Sequence, residues 1–320
     1  MRKKLLTQVL DLPYCEQAYP NSCTLYQVII TEKKSIELSI VVPVTNMAGS
    51  LGKLTDWLLR IEKYPWEVIL VHDYRDAETS LELKMIVEKS NNLRIKFVEN
   101  KFGSPGLARN IGIEISSGEW ITFWDCDDSP QIAEVDQVLS NYIESSTEVL
   151  VANFIEFDLG RKMKIEHKLT MNFLNDLAKH PGLWRFIFRK NFLSNHRFKN
   201  LRMAEDQLFL VLLMQKNPKI ILFPSFIYHY FTGQAGQLTK NKDALDDLSS
   251  AITEMLKIPN LKKNSQFNGL ILLKLIISGL KLSRLKIKLK ILIILIGILL
   301  RPNNSNHRII WKAVINLVKT

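Results

Sequence analysis

The sequence predicts an α/β protein: a mostly parallel, Rossmann-like sheet flanked by helices, followed by a basic, amphipathic helical tail. Three observations carry that expectation. Apolar β-branched runs alternate with helix-period segments from residue 37 to residue 157, the pattern of strands joined by crossover helices. The segment Glu119 to Trp124 reads as a short buried strand and runs into Asp125, Asp127 and Asp128, and open α/β sheets bind ligands at that end of a strand. From Lys262 onward the chain has twelve Lys and Arg and no Asp or Glu, a shift that sets the tail apart.

The elements follow in order. Residues 1–35 have weak periodicity and are expected as an extension of unassigned role, adding a strand or helix to the sheet edge. Glu37 to Pro43 (ELSIVVP) is a buried strand by its β-branched run. Leu51, Leu54, Leu58 and Ile61 mark a helix, Trp66 to Val71 a second strand, Leu81 to Val87 a second helix and Leu93 to Val98 a third strand. Ser104 and Pro105 open the next helix as cap and first residue, with Leu107, Ile111 and Ile115 on one apolar face. After the acidic tip come a helix over 131–144 and a strand from Glu148 to Phe157. The order then loosens, with a helix from Ala204 to Met214 and two strand-like pieces, Lys219 to Phe223 and Phe226 to Phe231. Three regions are therefore expected: 1–35, an α/β domain over 36–240, and a helical, basic region over 241–320.

Charge and cysteine content narrow the function. The net charge is +11, but it belongs to the tail, so the folded module lacks the basic face that nucleic-acid binding needs. Cys15, Cys23 and Cys126 have no metal-ligand spacing and no even pairing, as expected in a reducing compartment. Charge at Arg2, Lys3 and Lys4 is not followed by a long apolar run, so no secretory signal is expected. In the tail the longest uncharged stretch, Ile291 to Leu300, is ten residues, whereas spanning a bilayer takes about twenty. A helix pair in the headgroup region of an anionic membrane fits better, with a protein-packed helical subdomain as the alternative.

Three carboxylates within four positions repel one another unless a cation lies among them. An all-oxygen set suits Mg²⁺ or Mn²⁺. Taken together, Ala108-Arg109-Asn110, Gly118-Glu119-Trp120-Ile121-Thr122-Phe123 and Asp125-Cys126-Asp127-Asp128 resemble the nucleotide-sugar site of family 2 glycosyltransferases, which have the GT-A fold. The resemblance covers residues 37–240. It implies an inverting, metal-dependent transfer of a single sugar from a nucleoside-diphosphate donor, UDP-linked by expectation, to a saccharide or lipid-linked acceptor in surface polysaccharide synthesis. The basic tail adds the expectation of a peripheral, cytoplasmic place at the inner face of the membrane.

The resemblance also suggests roles. Asp125 would lie near the ribose and the metal, and Asp127 would bind the metal. Asp73 would contact the base, beside Pro43 and Thr45, although Thr45 stands where the family usually has Tyr, and His72 and Tyr74 also depart from its pattern. Arg109 resembles the donor-site arginine, whose guanidinium can pair with phosphate. Asp206, in the Glu205-Asp206 pair, resembles the catalytic base. Trp184, Glu205 and His229 are candidates for the acceptor side; Trp184 reads at least as well as a buried tryptophan, and His229, open to a role as third metal ligand, reads better as a core or surface histidine. The processive Gln-x-x-Arg-Trp motif is absent, which favours single transfer. Two other readings stay open: a non-catalytic relative of the same fold, and a nucleotidyltransferase, for which residues 43–52 lack a basic phosphate loop.

Overall fold

The computed structural model describes residues 5–10, 23–28, 36–90, 94–141, 146–233, 242–259, 261 and 265–299. The strands are β1 (Leu5–Leu10), β2 (Cys23–Val28), β3 (Leu38–Val44), β4 (Trp66–Asp73), β5 (Arg94–Asn100), β6 (Trp120–Phe123), β7 (Ser129–Pro130), β8 (Val149–Asp158), β9 (Met163–His167), β10 (Phe186–Arg189) and β11 (Ile220–Thr232). The α-helices are α1 (Gly52–Ile61), α2 (Ala77–Lys89), α3 (Pro105–Ile115), α4 (Ile132–Ser140), α5 (Phe173–Lys179), α6 (Lys190–Leu193), α7 (Glu205–Met214), α8 (Lys242–Leu245), α9 (Leu248–Leu256), α10 (Ser265–Leu282) and α11 (Leu285–Leu299). They form two compact units, neither continuous in sequence. The first comprises 1–167, 183–195 and 219–232, the second 168–182, 196–218 and 233–320.

The first unit is built on one sheet, ordered β1-β2-β5-β4-β3-β6-β10-β8-β11-β7 among the described residues, with β9 paired to β8. Strands β5, β4, β3 and β6 run parallel, and antiparallel pairs extend the sheet on both sides. Every residue of β4 is buried, as expected for a parallel strand covered on both faces. Residues 1–35 supply an edge: β1 and β2 pair antiparallel and join β5. The two strand-like pieces near residue 220 are one strand, β11, whose register slips between Phe223 and Phe226 and again before Tyr228. Pro224 lies in the first slip and has no N–H for the ladder, so the break in pattern is a bulge and not a strand end. Of the helix expected over 131–144, α4 covers Ile132–Ser140, and 142–145 lie outside the described residues.

Local rules place α3. Ser104 accepts the Leu107 N–H at 3.4 Å and Pro105 stands in the first turn. Leu107 and Ile111 are buried as expected, but so are all residues from Gly106 to Ile113. Close approach to β3 requires this: a Cβ on Gly112 would come within 2.2 Å of a Val41 methyl, and one on Gly118 within 2.7 Å of the Ser39 backbone nitrogen. Only glycine lets backbones approach so closely.

In the second unit, the tail expected as one basic amphipathic pair divides into two kinds of helix. Helix α10 packs into the unit's own core through Phe267, Ile271, Leu272, Leu275 and Ile276, and Lys274 donates to the Lys179 carbonyl at 2.7 Å. The headgroup location expected for both helices is therefore corrected for α10, because its apolar face is already covered by protein. Helix α11 buries Ile287 and Ile291 but exposes Leu285, Leu289, Leu292, Ile293 and Ile296. Among the described residues no helix is long and apolar enough to cross a membrane.

Candidate active site

The acidic tip follows β6, the strand next to β3 in the parallel part of the sheet. Its order comes from strand β11, a hundred residues away in sequence. The Asp128 carboxylate is 1 % exposed. One of its oxygens accepts the Phe231 backbone N–H at 2.8 Å and the other the Tyr228 hydroxyl at 3.1 Å. The same hydroxyl accepts the Asp125 N–H at 3.0 Å. Tyr228 thus ties both ends of the Asp125–Asp128 turn to β11, and Trp184 lies parallel to its ring at 5.0 Å. Lys53, near the start of α1, donates to the Asp127 carbonyl at 2.7 Å and sits 3.5 Å above the Phe231 ring.

With its backbone held, the turn offers Asp125 and Asp127. Burial, and then the neighbouring Asp125 charge, push the Asp127 carboxyl up to about 6, against the pull of Lys53. Burial also raises Asp125, while Arg109 opposes the rise from 3.4 Å. Asp128 is raised by burial and by both neighbouring acids, against the Phe231 and Tyr228 hydrogen bonds. The cluster is short of positive charge, and its donors are carboxylate oxygens, so Asp125 and Asp127 fit a hard divalent cation. Asp128 has spent both oxygens on protein.

The remaining strand ends carry the other expected donor-side residues. Pro43 lies in β3, opposite Val71 of β4. The Thr45 hydroxyl donates to the Asp73 carbonyl at 3.1 Å, linking the ends of β3 and β4. One Asp73 oxygen accepts the N–H groups of Phe102 and Gly103 at 2.7 and 3.0 Å, and the other meets Arg75 at 3.1 Å. Asp73 therefore shapes the loop that leads into α3. Arg109, on α3, is 8 % exposed and reaches Asp125.

His72, where the family usually has an acid, is fully buried and lies 3.0 Å from Glu99. Burial alone would raise the Glu99 carboxyl, but hydrogen bonds from His72 and Ser80 and the Lys84 charge hold it down to about 2. A folded-state pKa below the unfolded value near 4.3 stabilises the fold above that value. The contribution is lost as pH falls from there through about 2. Allowing for screening it is on the order of 2 kcal/mol. In urea titrations between pH 5 and pH 2.5, Glu99→Gln is expected to show a shallower loss of stability than the parent; parallel slopes would refute this account of the pair.

Trp184 is 7 % exposed. It stacks on Tyr228 and Tyr230 and meets Phe154 edge-on at 4.2 Å, so in this structure it serves packing. His229 lies 3.0 Å from the Gln131 amide and against the Phe157 ring. Glu205 and Asp206 belong to the second unit, in the first turn of α7. The residue before them, Ala204, is buried with φ of 67°, a left-handed conformation costly for a residue with a Cβ. Asp206 accepts the Gln207 N–H at 2.7 Å. Within the same unit the Asp206 charge acts on Lys274, whose amine burial otherwise pushes down. Lys53, and the part that Tyr228 plays in holding the turn, are what sequence reasoning missed, the segment Tyr228-His229-Tyr230 being expected only on the acceptor side. No local pattern marks these contacts, because the partners lie 74 and 100 or more residues away.

A parallel set of strands ending in a carboxylate tip, with a mixed extension whose strand β11, parallel to β8, carries the residues that hold the tip, is the GT-A arrangement of nucleotide-sugar transferases. Residues 39–208 match the family model described as Glycosyl transferase family 2. The chain belongs to that family. It is 23 % identical over 214 residues to the glycosyltransferase GlyG of Streptococcus pneumoniae, covering 60 % of this chain and 70 % of GlyG. It is 24 % identical to the poly(ribitol-phosphate) β-N-acetylglucosaminyltransferase TarS of Staphylococcus aureus, over 63 % of this chain but 36 % of TarS. With the minor teichoic acid biosynthesis protein GgaB of Bacillus subtilis it matches over 23 % of that protein, so it spans about a quarter to a third of these two relatives. Among solved structures, TarS 1–349 in complex with UDP-GlcNAc aligns with a TM-score of 0.53 at 19 % identity, covering 78 % of this chain and 74 % of that one. The mannosyltransferase PcManGT of Pyrobaculum calidifontis, in complex with GDP-Man and Mn²⁺, aligns with a TM-score of 0.53 at 13 % identity, over 88 % and 87 %. These likenesses concern the fold.

Proposed function

We propose that this glycosyltransferase moves a single sugar, with inversion, from a UDP-linked donor to a hydroxyl of a saccharide or lipid-linked acceptor in surface polysaccharide assembly. The observation that carries the reading is the acidic tip, where two carboxylates with raised pKa values stand on a turn tied down by Tyr228, Phe231 and Lys53. A preorganised, charge-deficient turn of this kind suits a cation bound with a diphosphate. The UDP-GlcNAc complex of TarS and the Mn²⁺ complex of PcManGT support a nucleotide-sugar donor and a divalent cation.

In this reading Asp125 and Asp127 would hold Mn²⁺ or Mg²⁺, and the cation would supply positive charge against the departing diphosphate. Arg109 steadies Asp125 and the phosphates. Pro43, Thr45 and Asp73 form the base side. Asp206 takes the proton from the acceptor hydroxyl as its oxygen bonds to the anomeric carbon, and the bond to the diphosphate breaks with the electron pair leaving on that group. The strained backbone at Ala204 supports a functional role for this helix start, since such strain clusters at functional sites. Glu205 and His229 are proposed for the acceptor side, with Trp184 packed behind Tyr228 and Tyr230, and the enzyme would work at the cytoplasmic face of a membrane. The test is product analysis. Incubating the full chain with Mn²⁺, a panel of nucleotide sugars and a membrane extract should yield one glycosylated product of opposite anomeric configuration to the donor, read by mass spectrometry and NMR. Retained configuration, or no product from any donor, would overturn the proposal.

A further inference from the structure

We infer that the exposed face of α11 is a docking surface for an anionic lipid bilayer, held in the plane of the headgroups. The inference deepens, and rests on, the proposed lipid-linked acceptor. Its ground is how this one helix divides its side chains. At about 100° per residue, Leu285, Leu289, Leu292, Ile293 and Ile296 fall within roughly a 100° arc. All five are exposed, from 43 % for Leu292 to 72 % for Leu285. Ile287 and Ile291 point the other way and are buried, with the Ile291 side chain against Gly279 of α10. The helix is thus anchored by one face and presents a second apolar face outward. A scatter of single exposed leucines needs no explanation, but a continuous stripe does.

The borders of the stripe identify the occupant. Lys286 and Lys290 flank one edge and Lys288 the other. Long lysine side chains beside an inserted apolar face can lift their amines to the phosphate level. Arg284 is engaged by Asp243 and Asp246, so the lysines are the cations left to the outer face. The chain from Lys262 onward carries twelve basic residues and no acid, and charge of one sign complements anionic headgroups. Fifteen residues span about 22 Å, less than the roughly 30 Å of a hydrocarbon core. The helix can therefore lie along a bilayer but not cross it.

The test uses the full chain and vesicles of phosphatidylcholine, with and without phosphatidylglycerol, in a flotation assay. The parent protein should float with the phosphatidylglycerol vesicles and stay behind with phosphatidylcholine alone. The double variant Leu289→Ser with Ile293→Ser should lose flotation while keeping its melting temperature, because both residues are exposed. The triple variant Lys286→Gln, Lys288→Gln and Lys290→Gln should bind roughly a hundredfold more weakly. Failure of the parent to float, or undiminished flotation of both variants, overturns the inference. So does a concentration-dependent dimer that the serine variant abolishes, since a second copy would then cover the stripe. Donor binding by calorimetry, run alongside, separates the two readings. Intact donor binding without flotation removes the lipid surface alone, and flotation without sugar transfer removes the proposed reaction alone.

Discussion

Replacing Asp206 with Asn is expected to lower kcat for sugar transfer by about a thousandfold, within the range for loss of a positioned general base, while donor affinity changes by no more than a few-fold. The acceptor hydroxyl must shed its proton as it attacks, and an amide cannot take it. The substitution is nearly isosteric, and an Asn oxygen can still accept the Gln207 N–H that Asp206 accepts. The loss of a charge in the first helical turn costs at most about 1 kcal/mol. Thermal stability should therefore move by only a few degrees. The contrast between kcat and donor affinity gives the experiment its force: a non-catalytic relative would bind donor and show no activity for the substitution to remove. Full transfer by Asp206→Asn would place the base elsewhere, and Glu205→Gln would be the next variant to assay.

Asp127→Ala should have an equally large effect with the opposite signature. Donor binding in the presence of Mn²⁺ should collapse along with transfer, since Asp127 is proposed to hold the cation that the diphosphate needs. Stability should respond with an unusual sign. In the metal-free protein Asp127 is pushed up to about 6 by burial and by Asp125, so its removal relieves a repulsion. The metal-free variant is expected to melt no lower than the parent, in keeping with the frequent conflict between stability and function at active sites. The parent should gain about 2.7 kcal/mol at a cation concentration a hundredfold above its dissociation constant. The variant should gain nothing. Melting curves of both proteins with Mn²⁺ and UDP settle the matter, and a parent that shows no shift would remove the cation from this site.

Much of the site was legible because its signals are local. The Ser104-Pro105 start of α3, the glycine before β6 and the acids after it depend on neighbours within a turn or two. Caps, turn residues and apolar period can be read at that range. The parallel strands β3 to β6 were legible for the same reason, each being an apolar run of strand length bounded by breakers. Strands β1 and β2 resisted because an added hairpin at the border of a sheet, with β1 outermost, needs little hydrophobic pattern. Strand β11 looked like two pieces because Pro224 interrupts the ladder while the pairing with β8 continues past it.

The sequence alone determined the fold class and the presence of a carboxylate cluster at a strand tip, since both follow from short-range residue order. The tertiary structure alone decided that Asp128 serves the turn through Tyr228 and Phe231, that Lys53 reaches the same turn from α1, and that α10 is packed while α11 turns an apolar stripe outward. The physical reason is that burial and hydrogen-bond partnership are properties of pairs brought together from distant parts of the chain. Two helices of similar composition therefore acquire different faces only once the rest of the molecule has chosen which side to cover.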